Sequence, residues 1–70
     1  MKNTVSFCSY VSPSLDIKYA EKPLCGHFIQ WCNSYIVEEN RKIPITVALV
    51  RSPDGALFLA NPLGMQFHSN

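Results

Sequence analysis

Pro23-Leu24-Cys25-Gly26-His27-Phe28-Ile29-Gln30-Trp31-Cys32-Asn33-Ser34-Tyr35-Ile36-Val37-Glu38 is the stretch whose periodicity decides between fold classes. At about 100° per residue, Leu24, Phe28, Trp31 and Tyr35 fall on one stripe and Cys25, Ile29, Cys32 and Ile36 on the next, an apolar arc of roughly 160°. Gly26, Gln30, Asn33 and Ser34 take the opposite side. Pro23 stands where a first helical residue tolerates a missing N–H. Continued further, the wheel would put Glu39 inside the apolar arc. The spacing therefore predicts an amphipathic helix over about 23–38, stopping at the polar run from Glu38 to Lys42. Gly26 would cost that helix about 1 kcal/mol relative to alanine.

On the N-terminal side, residues 4–11 read as a strand. Val5, Phe7 and Val11 share one face, with Ser9 the exception, and Thr4, Ser6, Cys8 and Tyr10 share the other. Ser12-Pro13-Ser14 carries turn chemistry. Strict alternation follows over about 15–20, with Leu15, Ile17 and Tyr19 inward and Asp16 and Lys18 outward, so the pair reads as an antiparallel hairpin. On the C-terminal side, residues 43–51 are β-branched and apolar on both faces, the pattern of a central strand covered on two sides. Ser52-Pro53-Asp54-Gly55 places proline at the second position of a type I turn and glycine where a left-handed residue closes the hairpin. Residues 56–60 return as a fourth strand. Asn61-Pro62 ends it, and in the tail 61–70 Met65 and Phe67 add a short edge strand or pack down. The sum is a small α+β domain spanning 1–70: an antiparallel four-stranded sheet, β-β-α-β-β in order, with one helix on one face. A single helix leaves the second face solvated or covered by something else.

Composition narrows the function classes. Seventy residues are one domain at most, and 47% apolar content is globular rather than disordered. The net charge of +1 argues against an electrostatically driven nucleic-acid binder. No apolar run approaches the ~20 residues of a membrane-spanning helix, and Met1-Lys2-Asn3-Thr4 leads into alternation rather than a secretory core. Cys8, Cys25 and Cys32, an odd number with no export signal, read as reduced structural thiols in the cytoplasm. Two helical turns would hold Cys25 and Cys32 ~10 Å apart, beyond the ~7 Å reach of a disulfide.

Catalytic and ligand-binding patterns are weak. On the helical wheel His27 points away from Cys25 and Cys32, so neither a zinc site nor a Cys–His couple assembles, and no metal or cofactor is expected. No serine lies in a nucleophile elbow, and Gly26, Gly55 and Gly64 are isolated, so no glycine-rich loop cradles a phosphate. The hairpin from Val47 to Leu59 resembles strand–turn–strand units of many unrelated proteins and identifies no family.

What rises above this background is a shortage of charge. Only 16% of residues are charged in a chain whose surface is large for its volume. Apolar surface left over after one helix has covered the sheet marks an interface. The expectation is a non-enzymatic cytoplasmic protein acting through protein–protein interaction, as an inhibitor, adaptor or regulator, or as a homodimer. Size alone associates such chains with phage and mobile-element inhibitors of host machinery. The expected contact residues are Tyr10 and Lys18 on the outward sheet face, the basic pair Arg41 and Lys42, and the apolar Met65 and Phe67. A second expectation, from another class, is single-stranded nucleic-acid binding on the open sheet. A third is a thiol-dependent enzyme using Cys8.

Overall fold

The computed structural model describes residues 3–68, so the last two residues of the tail 61–70 lie outside the description. It is all-β. The strands are β1 (Thr4–Val11), β2 (Ile17–Glu38), β3 (Arg41–Arg51), β4 (Leu57–Ala60) and β5 (Gln66–His68), all paired antiparallel. No helix occurs among the described residues, and this overturns the α+β reading with its helix over 23–38.

The correction has a physical cause. Phe28, Ile29, Trp31, Tyr35, Ile36 and Val37 are aromatic or β-branched and suit a pleated surface, while strong helix formers are few in this stretch. A bulge between Phe28 and Gln30 then disturbs the period of two. Phe28 lies opposite Val50 and Trp31 opposite Ala48, so two residues three apart share a face, their rings 5.2 Å apart. A strand carrying one bulge thereby imitates the three-and-four spacing of a helix.

β2 is 22 residues long because it serves two partners in succession. Its first part pairs with β1 as far as His27 opposite Thr4, and its second part pairs with β3 from His27 opposite Arg51 to Glu38 opposite Arg41. At the exchange sits Gly26, which is buried. A Cβ there would lie 2.5 Å from Val50 Cγ1 and 2.8 Å from the Arg51 carbonyl oxygen. The missing side chain lets the strand cross this close to β3.

The strands run in the order β2-β3-β4-β1-β5, and the β1–β2 pairing closes the sheet on itself. β4 and β5 share the second edge of β1, opposite Tyr10–Val11 and Thr4–Ser6 respectively. Both faces bury apolar residues. One cluster holds Val5, Phe7, Ala48, Val50 and Ala60, the other Val11, Ile36 and Val47. Val47 and Ala48 are adjacent, both fully buried, and belong to different clusters, so β3 is covered on two sides.

Two of the turns share one geometry. The Ser12 N–H donates to the Asp16 carbonyl and the Leu15 N–H to the Ser12 carbonyl, both at 2.9 Å. The Ser52 N–H donates to the Ala56 carbonyl at 2.8 Å and the Gly55 N–H to the Ser52 carbonyl at 2.9 Å. In each, the serine hydroxyl donates to the aspartate, and this bond holds the carboxyls of Asp16 and Asp54 below their ordinary value. The left-handed position is Gly55 in one and Leu15 (φ 64°) in the other. β2 and β3 are joined by two residues alone, Glu39 (φ 51°) and Asn40 (φ 63°), both left-handed as a type I′ hairpin turn requires.

Candidate interaction surface

The sheet positions three aromatic rings from two strands at one surface. Phe28 and Trp31 come together through the β2 bulge, and Phe67 arrives on β5 opposite Val5. Phe28 meets Trp31 at 5.2 Å and Phe67 at 5.3 Å, both edge-on, and Trp31 and Phe67 stand 6.2 Å apart. Phe28 is half-buried against the first cluster, while Trp31 and Phe67 are 50% and 53% exposed. Tyr35 shares a face with Trp31 and is likewise half exposed, with the Lys42 ammonium 5.4 Å from its ring centre. Large aromatic side chains set in fixed rotamers and left half in water are the usual anchors of protein interfaces.

The residues expected from the sequence to make contact fall in three places. Tyr10 and Lys18 are cross-strand partners on β1 and β2, but Tyr10 is half-buried with its ring 5.4 Å from Phe58, and Lys18 pairs with Asp16 at 3.5 Å. Arg41 and Lys42 begin β3, opposite Glu38 and Val37. Met65 packs against the first cluster, and Phe67 stands in the ring cluster. Phe67 and Lys42 therefore flank the same β2 surface, whereas Tyr10 and Lys18 sit apart from it. A helical wheel assigns Trp31, Phe28 and Tyr35 to a core and so hides them as contact residues. A period of two allowing for one bulge finds them.

The thiols also differ from expectation. Cys8 and Cys25 are exposed, which takes Cys25 out of the core where the helical wheel puts it, while Cys32 is half-buried and packs against the second cluster. In a strand, residues two apart share a face, and Cys25 and His27 line one open cleft of about 610 Å³ with Thr4, Arg51, Ser52 and Gly55. The register sets Ser6 opposite both Cys25 and Gln66, and Thr4 opposite both His27 and His68. The Ser6 hydroxyl and His68 Nε2 are hydrogen-bonded at 2.8 Å. Among the described residues, no three histidine, cysteine or carboxylate side chains converge as a metal site.

Among the described residues no helix is long and apolar enough to cross a membrane. The chain matches no family model, and no curated protein or solved structure is significantly similar to it.

Proposed function

We propose that this protein acts by binding another protein, as a non-enzymatic inhibitor, adaptor or regulator in the cytoplasm, and that the Phe28–Trp31–Phe67 ring cluster is the anchor of that contact. The observation that carries this reading is the cluster itself, three rings within 5.2–6.2 Å of one another with two of them half in water. The low charge of the chain supports it, since interface cores are poor in charged residues and rich in aromatics. Half-exposed rings on a sheet also suit the second reading, stacking on single-stranded nucleic acid. The basic residues near them favour protein: Lys42 lies over Tyr35, and Arg41 is set opposite Glu38.

A tagged full-length chain, exposed to nuclease-treated lysate from its cell of origin, is expected to retain a stoichiometric protein. Trp31→Ala and Phe67→Ala are each expected to weaken that capture about tenfold or more, the effect of losing an anchor worth over ~1.4 kcal/mol. Capture unchanged in both variants sinks the assignment of the surface. Retention of oligonucleotide alone, with an affinity that falls steeply as salt rises, replaces the protein reading by the nucleic-acid one.

A further inference from the structure

We propose that the edge of β2 around Asn33 pairs with the same edge of a second copy of this chain, antiparallel and across a two-fold axis through Asn33. The inference rests on the interaction reading above and names one partner at the strand that carries Trp31. β1 leaves β2 at its partner-exchange point, and from there to Glu38 β3 is the only strand among the described residues that is paired with β2. The outward direction on the other edge is fixed at both ends. The Phe28 N–H donates outward to the Asn3 carbonyl at 2.7 Å, and the Val37 N–H donates outward to the Leu15 carbonyl at 2.8 Å. Backbone groups alternate along an antiparallel ladder, so the N–H and C=O of Trp31, Asn33 and Tyr35 point outward as those of Val37 do. No strand among the described residues meets them.

Proteins blunt open edges with lysine, proline or inward charge. The span from Ile29 to Val37 contains no charged residue and no proline. The other open edge of the same hairpin, at the start of β3, carries Arg41, Lys42 and Pro44. Pro44 lies opposite Tyr35, so its nitrogen, which has no hydrogen to offer, faces outward. One edge is protected and its neighbour is not, which is what a designated pairing edge requires.

The sequence of the open edge identifies its occupant. Trp31-Cys32-Asn33-Ser34-Tyr35 is chemically symmetric about Asn33: aromatic, small, amide, small, aromatic. Antiparallel pairing about that residue sets Asn33 opposite its own copy, Cys32 opposite Ser34, and Trp31 opposite Tyr35. The three outward residues of each chain then exchange N–H···O bonds as hydrogen-bonded pairs. Both Trp31–Tyr35 pairs fall on the ring-cluster face, where cross-strand aromatic pairs stabilise a sheet. An arrangement in which each patch complements itself is the two-fold, isologous kind. At 150–250 Å² per aromatic side chain, four half-exposed rings supply roughly 300–500 Å², well short of the ~1,200 Å² of a stable interface, so the dimer is reversible and concentration-dependent.

Light scattering coupled to gel filtration tests this over a concentration series of the full chain. The wild type is expected to pass from the mass of one chain to that of two. Asn33→Pro and Asn33→Lys are both expected to stay single throughout, with the thermal midpoint that the wild type shows at concentrations where it too is single, and the lysine variant stands alone if the proline variant does not fold. In a chain with Cys8, Cys25 and Cys32 replaced by serine, Asn33→Cys is expected to give a covalent dimer under mild oxidation, because hydrogen-bonded partners lie ~5.5 Å apart, within disulfide reach. A wild type that stays single at every concentration overturns the inference, as does a dimer that survives both Asn33→Pro and Asn33→Lys. A single wild-type chain that still loses its captured protein on Trp31→Ala overturns this inference and leaves the interaction reading standing. A dimer sensitive to Asn33, with capture indifferent to Trp31 and Phe67, does the opposite.

Discussion

Gly26 meets Val50 and the Arg51 carbonyl across a gap that only a hydrogen atom fits, at the point where β2 exchanges one partner strand for another. In a helix the same glycine would be a loss of about 1 kcal/mol against alanine. In this strand the sign reverses. Gly26→Ala drives a methyl group into Val50 and into backbone that cannot turn aside, and overpacking of this kind costs about 1–3 kcal/mol. With a urea slope near 1–3 kcal/mol/M for a small protein, the denaturation midpoint is expected to fall by roughly 1 M with the slope unchanged. A midpoint equal to or above wild type would show that β2 bends elsewhere. The sequence displays the residue plainly but not its use, because a close approach between strands leaves no mark in either chain segment.

At the scale of the element, the connections were more legible than the strand between them. Ser52-Pro53-Asp54-Gly55 announces its turn through residue types that each have a local backbone reason to be there, and the turn forms as read. Ser12-Pro13-Ser14 announces a turn too, and the left-handed position that in the later turn belongs to Gly55 is held here by Leu15. The β2–β3 turn stayed hidden because Glu39 and Asn40 lack the Asn-Gly signature of a two-residue hairpin, and their polar run passed for a helix end. Replacing them should expose the strain. Glu39→Asn with Asn40→Gly removes about 1 kcal/mol of left-handed backbone cost, and in a domain of 60–100 residues this raises the thermal midpoint by roughly 4–8 °C. No change in the midpoint would mean that the two native residues make compensating contacts. The proposed contact surface is half legible in the sequence for the same reason. Phe67 and Lys42 stood out as an apolar residue and a cation outside any predicted core, whereas Trp31 and Tyr35 vanished into the helical wheel that the bulge had counterfeited.

At the scale of the molecule, two small clusters share one sheet, and neither is large. Phe7 is the largest fully buried side chain. Its truncation to alanine costs about 3–5 kcal/mol, set against roughly 4–10 kcal/mol in total for a chain of 70 residues. Phe7→Ala is therefore expected to populate the unfolded state measurably at 37 °C by near-ultraviolet circular dichroism, and a native-like spectrum with a sharp melt would place the centre of stability in the other cluster. The arrangement of β5 on β1 carries a consequence in time. Ser6 is bonded to a residue 62 positions further along, and ribosomes add ~5–20 residues per second, so the nascent chain waits roughly 3–12 s with that flank of its first strand bare. During those seconds Val5 and Phe7 have no finished core to enter, because Ala48, Val50 and Ala60, which bury them, are the later part of the same wait.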